Sequence, residues 1–421
     1  MVRTKNRYIR DDFVLLPSEL TINKQNNEPK SLGSQVHVVW DKAKDFNVYD
    51  RDGNQWIDMT AGIFTANAGH ANEDIKNAIK AQLDSDLLFA YQYETEIRDR
   101  FVTKILDVVP DYLDKAILLS TGSEATDAIY RIIKSWARQN HKKYIICFNG
   151  SYHGRVLSSA LMCGSKTATM WSGVNDEDVI FIDFPYCDYD IFDPNLLPPK
   201  EQIAAFFLET YQGWGACMYP PDYIKELYDF AKENGALVCF DEVQSGFYRM
   251  GELFGYMTYG DYIQPDLIGL GKGLSSCLPM SAVLGRADII DLDPTTNLSG
   301  THAGNAICCA ASLANLNFLT DAAFQQEFQK RARYFELRCQ KLLDLELVSK
   351  ANYKGMVAGI ILESIEVANK VVESCLLNGV LPVCTSRESI KLGPPLTITM
   401  DALEEAFDVI ESAIIGATGA E

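Results

Sequence analysis

The sequence predicts an α/β fold: one large, mainly parallel sheet with a second, smaller domain. Three observations predict it. Seven runs in the middle of the chain are apolar almost throughout: KAILLS (115–120), KYIICFN (143–149), VIFIDF (179–184), IAAFFLE (203–209), ALVCFDEV (236–243), DLIGL (266–270) and SAVLG (281–285). Runs of that length suit strands covered on both faces, as in a mostly parallel sheet. Amphipathic helical patterns fall between them. After about Leu345 the texture changes to shorter mixed elements, which marks the second domain.

The elements follow in order. The first forty or so residues are polar and irregular and end in VHVVW (36–40). In VYDRDGNQWIDM (48–59), Asp52-Gly53 predicts a two-residue hairpin turn between alternating flanks. Helical patterns cover about 74–83 and 94–108. A helix over about 123–138 carries Ala125, Ala128, Ile129, Ile132, Ile133 and Trp136 on one stripe. Another covers about 223–234, with Gly235 where a C-terminal stop is expected. From about 303 to 345 the pattern is helical. VAGIILES (357–364), a helix near 366–378, GVLPVC (379–384), SIKLG (389–393) and a last helix from about Met400 form the smaller domain. The expected division is 1–60 as a segment packing with the small domain, 61–315 as the large domain, and 316–421 as the small one.

Composition excludes several classes. The chain has 421 residues, 47% apolar and 23% charged, which rules out disorder, coiled coil and a small disulfide scaffold. Thirty-eight basic against fifty-seven acidic residues leave a net charge of −19. That balance argues against nucleic acid and against an anionic membrane surface as partners. It does not exclude a local pocket for one small anion. The eleven cysteines are odd in number and show no C-x-x-C spacing, so they read as reduced, mostly buried thiols in the cytoplasm. The N-terminus lacks the apolar core of a signal peptide, and no stretch approaches the ~20 apolar residues of a membrane span.

Five places carry possible chemistry. Lys272 stands among Gly269, Gly271 and Gly273 after an apolar run. A surface lysine on a tight turn would look the same. A P-loop does not fit, because Gly273 follows the lysine where Ser or Thr is needed, and Leu274 spoils a dinucleotide fingerprint. A lysine that forms a Schiff base remains. Asp241-Glu242 end the run ALVCF, where an acid either points to solvent or meets a cation such as a pyridinium nitrogen. Thr121 and Glu124 stand in capping-box spacing around Gly122 and Ser123, and a helix start is also an anion site. Tyr152-His153 could stack on a flat ring or pack in the core. Thr301, among glycines before a helix, is a further phosphate contact to consider.

The set suits a phosphorylated aromatic cofactor held as a Schiff base. Its motifs resemble the class III pyridoxal-phosphate aminotransferases, of the ornithine, 4-aminobutyrate and omega-amino-acid type. The similarity runs from about Val48 to about Ala402: YDRDGNQWIDM, NAGH (67–70), STGSEAT, GSYHGR, ETYQG (209–213), FDEVQSGFYRMG (240–251), PDLIGLGKG, GTHAGNAICCA and LGPPLTI, in family order. The resemblance implies fold-type I, a large domain with a mainly parallel seven-stranded sheet and a small α+β domain from both chain ends. It implies pyridoxal 5'-phosphate on Lys272, with Lys272 also moving the proton. Asp241 would pair with the pyridinium nitrogen. Val243 and Tyr152 would face the two sides of the ring, with His153 in the same cofactor-binding group. Gln244 would reach the ring oxygen, and Gly122 and Ser123 would bind the phosphate. Thr301 would reach the phosphate of a second copy, implying a homodimer with shared sites.

The substrate side departs from the family pattern. Glu209-Thr210 stands for the usual Glu-Pro, and LSSCLP follows the lysine where relatives are rich in glycine. In ornithine-type members an arginine three residues before the Pro-Pro pair binds a carboxylate or rests on the glutamate matching Glu209. Here that residue is Lys391, a point charge without the planar fork. Ile63, Phe64, Phe89 and Tyr91 lie in segments that line the substrate pocket in relatives. The expected activity is ping-pong transfer of an amino group from an amine donor to an aldehyde or ketone, the acceptor being a primary aldehyde or sugar-like carbonyl. Aminomutases, decarboxylating transaminases and phospho-lyases share Lys272 and Asp241, so the motifs leave them open.

Overall fold

The computed structural model describes residues 2–15, 38–91, 93–165 and 167–417. The seven apolar runs form one sheet of seven strands: β1 (Lys115–Leu119), β2 (Tyr144–Phe148), β3 (Val179–Ile182), β4 (Ile203–Glu209), β5 (Leu237–Asp241), β6 (Leu267–Leu270) and β7 (Ser281–Gly285). Their spatial order is β1-β7-β6-β5-β4-β2-β3. β7 runs antiparallel to both neighbours, and all other neighbours are parallel. Every residue of β4, β5 and β6 is buried. That two-sided burial is why these strands read as unbroken apolar runs.

The Gly122–Gln139 helix lays Ala125, Ala128, Ile129, Ile132 and Ile133 into one core with Phe207, Cys239 and Val283. Each fully buried isoleucine there contributes about 1.5–3 kcal/mol. The helix starts where Thr121 and Glu124 form the reciprocal capping box.

Two compact units result: Met1–Asn72 with Trp214–Ala216 and Ala322–Glu421, and Glu73–Gly213 with Cys217–Asp321. The borders thus fall at 72/73 and 321/322, not at 60/61 and 315/316. Residues 61–72 join the chain ends: Leu396 N donates to Asn67 O, and His70 and Asp45 exchange backbone hydrogen bonds. Residues 316–319 complete the Ala306–Leu319 helix, which packs on Glu73–Asp84 and Glu96–Asp107. A break at Thr320-Asp321 separates it from Ala322–Leu342, so the long helical pattern is two helices.

In the first unit, Val348–Lys354, Val357–Leu362, Ser389–Leu392 and Val383–Cys384 make an antiparallel sheet. In a second sheet, Val380–Leu381 pairs in parallel with Gln55–Asp58, so strands from both chain ends meet. The hairpin at Asp52-Gly53 is present, but its strands pair Tyr49 with Gln55, leaving a five-residue loop rather than a two-residue turn. Asp50 organises that longer loop by accepting from the N–H groups of Asp52 (3.0 Å) and Asn54 (2.8 Å). Among the described residues, no single helix is long and apolar enough to cross a membrane.

Candidate active site

Parallel register brings two acids side by side. Asp241, the last residue of β5, pairs with Glu209 at the end of β4 and with Gly269 of β6. Three residues after Gly269 the chain reaches Lys272. The carboxyl ends of β4, β5 and β6 therefore share one edge, where α/β sheets collect ligands.

Asp241 is almost fully buried, and each of its oxygens has a partner. Oδ1 accepts from Val243 N (3.0 Å), and Oδ2 lies 2.8 Å from His153 Nδ1. The His153 ring sits 4.3 Å from the Phe207 ring, and its Nε2 is buried without a hydrogen-bond partner. Of the two readings open for the Tyr152-His153 pair, stacking on a flat ring and packing in the core, His153 takes the buried one. The segment is extended, so neighbouring side chains point to opposite sides. Tyr152 is exposed while His153 turns inward beneath Asp241. Glu209 fixes the same loop: its Oε2 accepts from Tyr152 N (3.0 Å) and its Oε1 from Gly213 N (3.2 Å).

Asp241 and Glu242 differ completely. Glu242 is fully buried and accepts from Thr210 Oγ1 (2.6 Å), Ser245 Oγ (2.6 Å), Gly255 N (2.8 Å) and Tyr256 N (2.7 Å). Burial pushes its pKa up, and those four donors oppose the shift. It ties the turn after β5 to the segment near 255, and it is a structural acid.

Lys272 opens a short 3-10 turn with φ +40°, a left-handed backbone that costs roughly 1–2 kcal/mol for a residue with a side chain. It keeps part of its surface accessible. Loss of hydration around the amine nevertheless pushes its pKa down, while the charges of Asp241 and Glu209 pull it back up.

Gly122 and Gly271 converge on Val243. A Cβ at Gly122 would stand 2.7 Å from Val243 Cγ1, and one at Gly271 would stand 3.2 Å away. Ser123 accepts from Arg155 N through Oγ (3.3 Å), which ties the helix start to the loop carrying Tyr152. Gln244 lies partly buried next to Val243. A small apolar seat at Val243, the free N–H groups of a helix start, a buried carboxylate with a histidine behind it and a desolvated amine fit a phosphorylated pyridine aldehyde.

Not every expected residue joins this cluster. Thr301 is exposed in the turn before the Ala306–Leu319 helix, and Tyr91 is exposed with φ +52°. Phe64 and Lys391 belong to the first unit, where they meet each other. Lys391 is buried in the Ser389–Leu392 strand, with Nζ 4.2 Å from the centroid of the Phe64 ring. Four consecutive residues, Ala61, Gly62, Ile63 and Phe64, have φ between 48° and 64°. Asp58 and Thr60 brace this left-handed turn: Asp58 Oδ1 accepts from Thr60 N (2.7 Å) and Thr60 Oγ1 from Gly62 N (3.0 Å). Asp58 Oδ2 in turn lies 2.7 Å from His70 Nε2. A side chain at Gly393 would overlap the Phe64 ring. Sequence reading missed this brace, although two acid-hydroxyl neighbours before a glycine could have signalled a turn.

Sheet, strand-end acids and Gly-Lys-Gly turn together define a fold-type I pyridoxal-phosphate-dependent enzyme. The chain belongs to the class III aminotransferase family, whose model matches residues 30–414. It is therefore a pyridoxal-phosphate-dependent aminotransferase. It is 30% identical over 411 residues to the 2-aminoadipate transaminase of Pseudomonas putida, covering 90% of this chain and 96% of that one. It is 27% identical over 419 residues to an isoleucine 2-epimerase of Lentilactobacillus buchneri, covering 91% of each. The ornithine aminotransferase of Toxoplasma gondii superposes with a TM-score of 0.83 at 25% identity, over 92% of each chain.

Proposed function

We propose that the protein runs a ping-pong transamination from an amine donor to a primary aldehyde or sugar-like carbonyl, with Lys272 as the cofactor lysine and proton carrier. When bound, pyridoxal phosphate supplies the electron sink that stabilises charge at the amine-bearing carbon, and it stores the amino group between half-reactions.

The chain's residues divide the remaining work. Lys272, whose pKa burial pushes down, takes a proton from the substrate carbon and returns it elsewhere. Asp241 holds a proton on the ring nitrogen, and His153 and Val243 N keep its carboxylate in place. Gly122 and Ser123 hold the phosphate through the helix start. Val243 and Tyr152 bracket the ring, and Gln244 serves the ring oxygen. Thr301, exposed on its turn, serves the phosphate of a second copy in a homodimer. All eleven cysteines are free thiols, which supports a reducing cytoplasm.

The observation that carries the acceptor reading is Lys391. It stands where ornithine-type relatives place a carboxylate-binding arginine, and its ammonium rests against the Phe64 ring. A point charge on an aromatic face offers no planar fork for a 2-oxo acid. By the family resemblance, Phe64, Tyr91 and Glu209 are also substrate-binding residues. A screen of acceptors, with the cofactor absorbance followed after preloading with donor, tests this. Aldehydes should restore the resting spectrum at least tenfold faster than 2-oxoglutarate, and the reverse order refutes the reading. The relative named an epimerase supports a second reading, another reaction on the same fold. Solvent deuterium entering the donor's carbon without release of any keto product would favour it.

A further inference from the structure

We propose that a cavity beside the edge strand β3, built apart from Lys272 and Asp241, binds an organic cation with an apolar or aromatic body. The cavity has a volume of about 580 Å³, within the range of small-molecule sites. Its floor and walls include Phe181, Phe184, Phe192 and Tyr223. Phe184, Phe192 and Tyr223 are buried, and Phe192 meets Tyr223 edge to face at 5.7 Å and 86°. Phe192 also packs on Phe230 at 5.4 Å, so the wall is held from behind. At the rim, Tyr189, Ile191 and Leu196 are 83%, 76% and 74% exposed. Apolar rim residues this exposed, around a preformed concave floor, are surface that a ligand would cover.

The charge of the lining sets the ligand's sign. Asp183, Asp190 and Asp193 line the cavity, and its lining contains no Lys, Arg or His. None of the three forms an ion pair among the described residues. Each is anchored through one oxygen: Asp183 Oδ1 accepts from Asn149 Nδ2 (2.7 Å), Asp190 Oδ2 from Cys187 N (2.9 Å) and Asp193 Oδ1 from Asn195 N (2.9 Å). The charges are therefore positioned without being neutralised. Their reach into the cavity is visible at Tyr223, where burial, and then the charges of Asp190 and Asp183, push the hydroxyl pKa up. Aromatic faces and uncompensated carboxylates both attract cations, and neither favours an anion. A free ammonium with a bare hydration shell would gain little from the aromatic wall. An alkyl or aryl ammonium uses both parts.

The cavity also touches the loop of the active site. Asn149, which holds Asp183, begins the stretch that carries Tyr152 and His153. Its carbonyl accepts from Gln212 Nε2 (2.7 Å), and the next residue, Gly213, donates to Glu209. An occupied cavity therefore bears on the same loop that orders Asp241's histidine.

Benzyltrimethylammonium is the probe, because it has no N–H and cannot act as an amine donor. Calorimetric titration of the holoenzyme should give saturable one-to-one binding, with the uncharged carbon analogue neopentylbenzene at least tenfold weaker. Asp190→Asn with Asp193→Asn keeps the local hydrogen bonds and removes two charges. It should weaken the probe at least tenfold while the donor half-reaction keeps its rate. Tyr189→Ser should weaken the probe with the charges intact. The proposal is overturned if binding does not saturate, if the uncharged analogue binds as well, or if the double variant binds the probe unchanged. It is equally overturned if an amine donor displaces the probe competitively, since the probe would then sit at the catalytic lysine.

Discussion

Lys272 and Lys391 place the same side chain in two opposite settings. Lys272 sits on a glycine-flanked turn at the end of β6, near two carboxylates, with a strained backbone and an amine that burial makes less basic. Lys391 sits in the regular Ser389–Leu392 strand, and the strain lies in its neighbour, the left-handed turn that presents Phe64. In the first region the lysine itself is held in the uncommon conformation. In the second an aromatic ring is held against an ordinary strand lysine. The first arrangement favours a reactive amine, and the second a fixed cation with little room for a forked anion.

The comparison can be broken most severely at Lys272. Lys272→Ala should slow the donor half-reaction by roughly a thousandfold or more, as expected for loss of a positioned proton carrier. It should still bind the cofactor without a covalent link. Stopped-flow absorbance with excess donor measures both, and a rate within tenfold of the parent would remove Lys272 from its role.

Glu242→Ala comes next, because it strips the acceptor from four donors at the strand end beside Asp241. Buried donors left unsatisfied cost about 1–3 kcal/mol each when water cannot replace the partner, so a loss of about 3 kcal/mol or more is expected. Urea unfolding reads it. An unchanged midpoint would mean that this acid does not hold the turn.

A smaller effect should sharpen the other side. Lys391→Arg restores the fork and should raise kcat/KM for 2-oxoglutarate relative to an aldehyde by about tenfold, or about 1.4 kcal/mol. No change in that ratio would detach Lys391 from acceptor choice.

The smallest expected effect is on stability in the apo protein. The folded pKa of Lys272 lies below its unfolded value, so between the two the unfolded chain binds more protons. Stability contributed by this group therefore rises with pH across that window, up to the ordinary lysine value of 10.5. Lys272→Met should flatten this rise. Parallel unfolding curves from pH 7 to 10 for the two proteins show the difference, and identical pH slopes would contradict the shift.

Legibility followed burial. The strands β4 and β7 have the bounds of the apolar runs IAAFFLE and SAVLG, because burial on both faces leaves a polar residue only at one end of each. Val348–Lys354 escaped notice because VSKANYK buries only its first residue and carries no apolar run. Lys272 and Asp241 stood out because a lone charge after an apolar strand has few reasons to be there. His153 was legible as a residue of interest but not in its direction, since only the packed position of Phe207 and Asp241 shows which way its ring turns.

The sequence by itself determined the family, the α/β class and the order of the seven strands along the chain, because local periodicity and short motifs are properties of neighbouring residues. Only the tertiary structure decided that Asp241 is backed by a histidine while Glu242 is tied into a turn. It alone decided that Phe64 covers Lys391 and that three unneutralised aspartates face one aromatic cavity. Those facts depend on which residues meet after the strands have paired, and spacing along the chain carries no record of distances between residues so far apart.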